Sequence, residues 1–260
     1  MISVLQSTAT APNDQFPPQP RQGRENNLSW LERVLAGEAE ADHSQDRAYI
    51  VLLGGKSPVA FRLRVAQSQL RHDLAPSHWS HAVLLGQVEA DLGRTTVYEI
   101  SLEPNRGFGF PPPTNGVQEG QLQQYRNPRD YPNIALLHVT VPPEKQVDPE
   151  KSFRQQVMEA LDRFKKQRAV LDALELTLQW LAYAWGTGHS DNPLLDGLGI
   201  PSAAMLEMVY GAVGFDLTPG LESRASCPEA IWQGAKWWHP YYSRENQAAG
   251  HGAYHIGQRL

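Results

Sequence analysis

Apolar positions recur along this chain in two rhythms, one of strands and one of helices. Residues 49–53 form an unbroken run of β-branched, aromatic and leucine side chains that closes on Gly54-Gly55. Such a run predicts a strand. Residues 80–86 and 95–102 predict two more strands, joined by a connection at 87–94 that carries Asp91 and Gly93. Residues 134–141 predict another strand, stopped by Pro142-Pro143. The helical rhythm starts at Ser29, which is placed to cap a short helix carrying Trp30, Leu31, Val34 and Leu35. It returns at Phe153, Val157, Leu161 and Phe164, then at Leu171, Leu174, Leu178, Leu181 and Trp185, so 149–185 reads as a long helical region. Four polar residues at 165–168 interrupt that stripe.

Pro201 and Ser202 are typical of a helix start. Met205, Leu206, Met208, Val209 and Ala212 follow at core-helix spacing, and Gly214 is a stop signal. A last helix opens at Pro228 and runs to 238, after Ser226 or Cys227. Residues 61–65 fit either a short strand or a helix through Leu70, and 120–125 follows neither rhythm. These elements predict an α+β fold, a small antiparallel sheet packed against helices.

Residues 1–27 are rich in Pro, Gln, Asn, Ser and Thr and read as a flexible tail; 28–242 reads as one domain. The last stretch, 243–260, is polar and Gly-containing and reads as a C-terminal tail. The chain has 260 residues, 41% of them hydrophobic, enough for a sizeable core. A formal net charge of −5 offers no broad basic field, which argues against nucleic acid as a partner. The single cysteine, Cys227, excludes an internal disulfide and a Cys-rich zinc site. No apolar run approaches the ~18 residues of a membrane span, and no secretion signal opens the chain. A cytoplasmic protein is the expectation. No internal repeat is visible, and composition says nothing of the oligomeric state.

Candidate chemistry begins with the paired strands. An antiparallel register with His81 opposite Glu99 places Val83 opposite Val97. All four side chains then share one face, with an imidazole beside a carboxylate, while Ala82, Leu84, Tyr98 and Ile100 take the other. Ser202 is expected at a helix mouth, where free N–H groups and the dipole favour a nucleophile. The plain alternatives are a structural histidine, a solvent-facing glutamate and an N-cap serine. Cys227 is a rival nucleophile at a helix start, although a lone buried thiol is more often inert. His78 reads as a loop histidine. Trp232, Trp237, Trp238, Tyr241 and Tyr242 form an aromatic cluster, read as core before platform. His239, His251 and His255 raise a zinc site, but Gly250 and Gly252 argue against the helix that would align the last two, so no metal and no cofactor is expected.

In order, the chain offers Ser80-His81-Ala82-Val83-Leu84-Leu85, then Val97-Tyr98-Glu99-Ile100, then Pro201-Ser202-Ala203-Ala204-Met205-Leu206. This series resembles the circularly permuted papain-like hydrolases of the NlpC type, a group also similar to the lecithin:retinol acyltransferases. Their pattern sets a strand histidine first, a strand ending in a polar residue second, and a Cys-Ser-x-Leu-Val helix start late. Gly214–Gly220 and Cys227-Pro228-Glu229 look like two further segments of that group. The resemblance spans about residues 47–238 by order of elements, with three short motifs carrying it. It implies a papain-like α+β fold in permuted order, with His81 as general base, Glu99 orienting it and Ser202 at the nucleophile position.

Ser202 stands where that family has cysteine. A thiol ionises near pKa ~8.5 and is readily activated; an alcohol needs a placed base and an oxyanion site. A serine variant, a natural loss of catalysis and an inactivating substitution all fit the sequence. Two functions follow. One is a papain-like hydrolase or acyltransferase acting on an amide or ester bond of a peptide, acyl or protein substrate. The alternative is a non-catalytic papain-fold module, a pseudoenzyme, that binds a peptide or protein partner.

Overall fold

The computed structural model of the chain describes residues 16–41, 47–103, 114–142, 145–166, 173–186, 190–242 and 249–257. Among them run α1 (Asn27–Ala41), β1 (Tyr49–Gly54), α2 (Pro58–Ala66), β2 (His81–Leu85), β3 (Thr96–Glu99), β4 (Gln118–Gln121) and β5 (Asn133–Thr140). Then follow α3 (Phe153–Lys166), α4 (Ala173–Trp185), α5 (Pro201–Gly211), α6 (Pro228–Tyr242) and β6 (Ala249–Ile256). The strands form one sheet in the order β4-β3-β2-β1-β5-β6, antiparallel at every pairing. The architecture is therefore α+β, as the two rhythms predict.

β1 shows why the apolar runs are unbroken. Ile50, Val51, Leu52 and Leu53 are all fully buried. Successive side chains of a strand point to opposite faces, so both faces of this strand are covered. Ile50 and Leu52 join a core with Ala82, Leu84, Ala135 and Leu137, sealed by α3, α5 and α6. Val51 and Leu53 join a second core with Val83, Leu85 and Val97, sealed by Leu28, Trp30 and Leu31 of α1. A third cluster ties α2, α4 and α5 together around Trp180.

The helices start where local chemistry allows. Ser57 caps α2, accepting the Ala60 amide at 3.0 Å, with Pro58 in the first turn. That settles 61–65 as helix. Ahead of α3, Ser152 and Gln155 exchange side-chain to backbone hydrogen bonds at 3.2 Å each, a reciprocal capping pair. α3 then buries Phe153, Val157, Ala160, Leu161 and Phe164 along one stripe. α3 and α4 are separate helices; residues 167–172, with Leu171, lie outside the described residues.

Four expectations are corrected. α1 is capped by Asn26, whose side chain accepts the Leu28 and Ser29 amides at 2.9 and 3.1 Å; Ser29 lies inside the first turn. (Residues 120–125, left open by the sequence, fall in β4 and in a short 3-10 turn at Leu122–Tyr125.) The β2–β3 register is offset by two: Leu84 faces Tyr98 and Leu85 faces Val97. Finally, the polar C-terminal stretch is no tail along 249–256, because β6 pairs with the whole of β5. The expected N-terminal tail also docks from Phe16 on: the Gln19 amide donates to the Tyr254 carbonyl at 2.7 Å, and Phe16 meets Trp232 edge-on. Residues 1–15 lie outside the described residues.

β6 docks through a close approach at Gly252. A Cβ there would come within 2.4 Å of the Leu136 carbonyl oxygen and 2.8 Å of the Phe16 ring. Gly252→Ala is expected to lower stability by about 1–3 kcal/mol, the usual penalty of overpacking. Gly37→Ala on exposed α1, with open space around it, is expected to gain about 0.5–1 kcal/mol. Urea midpoints of the two variants check the pair; equal midpoints would show that β6 is not held as described.

Candidate functional site

His81 opens β2 and Glu99 closes β3. Continuing the observed register sets Glu99 opposite Val83, diagonal to His81. An offset of two residues keeps both side chains on one face, because the side-chain period is also two. His81 Nε2 donates to the Glu99 carboxylate. An ionised carboxylate only accepts, so Nε2 carries the proton of this hydrogen bond. Glu99 is the only hydrogen-bond partner of the His81 ring among the described residues.

Two residues that the sequence reading missed complete the arrangement. Tyr125 donates its hydroxyl to the Glu99 carboxylate, and Gln124 donates its amide to the other oxygen at 2.7 Å. Both come from the 3-10 turn at Leu122–Tyr125, whose lack of periodicity hid them. Glu99 is 1% exposed and His81 14%. Burial works against the charged carboxylate, but the His81 charge and the hydrogen bonds from His81, Tyr125 and Gln124 outweigh it and hold the pKa below the ordinary value. Burial, reinforced by Glu99, raises the Tyr125 hydroxyl well above its usual range, so it stays a donor.

Ser202 is not part of this group. α5 begins at Pro201 with Ile200 as its cap residue, so Ser202 lies within the first turn and caps nothing. It is fully buried, and its hydroxyl finds no hydrogen-bond partner among the described residues. Ala203, Met205 and Leu206 of α5 pack with Ala82 and Leu84. His81, Val83 and Glu99 point the other way, into the core that holds Tyr125. The expected meeting of His81 and Ser202 in one cleft does not occur; the sheet lies between them.

Cys227 is fully buried at the start of α6, and burial pushes its thiol up to about 12. That is the environment of an inert cysteine. His251 and His255 lie on β6: His251 stacks on His138, and His255 Nδ1 accepts the Arg21 amide at 3.2 Å. The side chains of His239, Trp237, Trp238, Tyr241 and Tyr242 lie outside the described ones. Trp232 is core, meeting Trp79 and Tyr254 edge-on at 5.2 and 5.0 Å. No group of three or more potential metal ligands comes together among the described residues.

A second buried carboxylate, Glu207 on α5, holds the turn after that helix. It accepts the Leu217 amide at 2.9 Å and the Thr218 hydroxyl at 2.8 Å. Burial, with the neighbouring Asp216, pushes it up to about 7.

No family model matches the chain, and no curated protein sequence matches it. No helix among the described residues is long and apolar enough to cross a membrane.

The two carboxylates tilt the pH profile of stability in opposite directions. The Glu99 pKa is depressed by folding, so its contribution is present above the unfolded value of ~4.3 and disappears as pH falls through the folded value. Glu99→Gln is expected to cost about 2–4 kcal/mol at neutral pH and to flatten the acid limb of the profile. Chemical denaturation of both proteins between about pH 2 and 7 checks this; parallel limbs would refute it.

The Glu207 pKa is raised, so its contribution is complete below ~4.3 and is lost as pH rises to about 7. Wild type should lose on the order of 2–3 kcal/mol over that interval. Glu207→Gln, measured by the same titration, should lose much less.

Proposed function

We propose that this chain is a non-catalytic α+β module on the permuted NlpC-type plan, which binds a peptide or protein partner. The resemblance rests on the order of its three motifs, and the mixed antiparallel architecture is consistent with it. The burial of Ser202 behind the sheet is the observation that carries the non-catalytic reading. A nucleophile must lie within hydrogen-bond reach of its base, about 2.6–3.2 Å and looser in an unliganded site. Ser202 is on α5, packed against the face opposite His81 and Glu99. Its hydroxyl has neither a base nor access to solvent.

The hydrolase or acyltransferase reading keeps one observation in its favour. His81 is oriented through Nε2 by a buried carboxylate that two further donors hold in place. A histidine so held has the parts of a general base. Neither candidate nucleophile is available to it: Ser202 and Cys227 are both fully buried, and neither bonds to the His81 ring.

Ser202→Cys separates the two readings, because serine and cysteine are close in volume and Cys227 is itself too buried to react. In a non-catalytic module the new thiol is desolvated, so it titrates above the ~8.5 of a free thiol and reacts slowly with iodoacetamide and with acyl esters. Labelling of intact protein followed by mass spectrometry checks this. Fast labelling at neutral pH that is lost on adding His81→Ala would establish the papain-like arrangement instead.

A further inference from the structure

A cavity of about 350 Å³ opens where the loop before β2, helix α6 and strand β6 meet. Arg71 and His78 come from the loop, Trp232, Gln233 and Lys236 from α6, and Tyr254 from β6. The volume falls in the range of small-molecule sites, which combine apolar walls with a few placed polar groups. The cavity belongs to the Trp79–Trp232–Tyr254 side of the sheet, the face away from His81 and Glu99.

Its walls differ in chemistry. One wall is aromatic: Trp232 stands edge-on to Tyr254 at 5.0 Å. The other is cationic. The Lys236 ammonium lies over the Trp232 ring, 4.8 Å from its centroid. Arg71 pairs with Asp73 at 2.8 Å and, more distantly, with Glu229 at 3.7 Å. Arg64 stands behind, buried, with its Nε donating to the Ser77 carbonyl and one terminal nitrogen unpartnered. Burial and the charges of Arg71 and Arg64 push His78 down to about 4, so its ring is neutral at physiological pH.

Among the described residues the local charge does not balance: Arg64, Arg71 and Lys236 supply three cations, Asp73 and Glu229 two carboxylates. Glu229 is committed elsewhere too, accepting from Ser77 and Gln233 at 2.6 Å each. His78 Nδ1 is buried without a partner among the described residues. A buried polar atom without a partner is unfavourable, and cations gathered with too few anions favour an anionic guest. Among the described residues the cations exceed the carboxylates by one, a charge that a carboxylate guest would balance.

We propose that this cavity binds an aromatic carboxylate: a planar apolar body against Trp232 and Tyr254, with its single negative charge beside Lys236 and Arg71. The body would pack edge-on or offset against the two rings, the arrangement aromatic pairs prefer. The carboxylate would join Lys236 in a charge-assisted hydrogen bond, with the Arg71 guanidinium, already held by Asp73, adding its charge alongside. Such a guest can be a free aromatic acid or the C-terminal aromatic residue of a peptide. This goes beyond the binding-module reading and does not depend on it. A reactive thiol in Ser202→Cys would end that reading and leave this cavity as it is.

Isothermal titration of the full chain tests the proposal. The probes are indoleacetate and N-acetyltryptophan, each beside its neutral amide. Saturable binding of indoleacetate, with its amide at least about tenfold weaker (about 1.4 kcal/mol), is the expected result. N-acetyltryptophan binding as well would extend the site to peptide ends; indoleacetate alone would limit it to free acids. Lys236→Met should weaken binding about tenfold or more, whereas Lys151→Met, the same change of charge on exposed α3 flank, should leave it unaltered. The acid and amide comparison needs no variant, so it stands even if Lys236→Met folds poorly. Equal binding of acid and amide, full binding by a folded Lys236→Met, or no saturable binding of either acid up to about 5 mM would overturn the proposal.

Discussion

The central strands are buried on both faces, and side chains on a strand alternate between those faces. The rest of the structure follows from that constraint. In β1, Ile50 and Leu52 face the helices α3, α5 and α6, while Val51 and Leu53 face α1. Every residue of β2 and β3 is assigned to one side in the same way. A one-residue slip would move a whole set of side chains to the wrong core, whereas a slip of two moves none. That is why His81 and Glu99 meet although their strands pair two positions away from the simplest register.

The same constraint separates the chemistry of the two sides. On the α1 side lies the His81–Glu99 pair, with Glu99 held by Gln124 and Tyr125. The buried carboxylate is tolerated because three donors and the imidazole charge offset its desolvation. On the other side α5 presses small and apolar side chains against Ala82 and Leu84. Ser202 falls in this dry layer with its hydroxyl unpaired. A helix start offers its dipole to a nucleophile only when the first turn meets solvent or a base, and α5 meets a sheet.

The C-terminal strand closes the molecule. β6 pairs along the whole of β5, and residues 16–19 run beside it through the Pro18–Tyr254 bridge. Tyr254 thereby reaches Trp232 of α6 and Phe16 is drawn onto the same ring. The cationic and aromatic walls of the cavity by α6 come from segments far apart in the chain: a loop near residue 71, a helix near 236 and a strand near 254. None of these segments carries a binding motif by itself.

The sequence alone determined the elements whose period fits within a short window. The strands at 49–53, 80–86 and 134–141, the stripe of α3 and the helix from Pro201 are all legible there, and so is the shared face of His81 and Glu99. Its reading failed where a local signal was weak and a distant partner decided. Gln124 and Tyr125 sit in a turn without periodicity and are defined by their bonds to Glu99. The Gly-rich stretch 249–256 looks like a tail because glycine and histidine carry no strand rhythm. It becomes a strand because β5 offers an open edge and Gly252 lets the two backbones close up. Ser202 shows the limit most plainly. Its helix could be read from spacing, but which face of the sheet that helix covers depends on the packing of Met205, Leu206 and Val209 against residues more than a hundred positions earlier, and only the tertiary structure decides that.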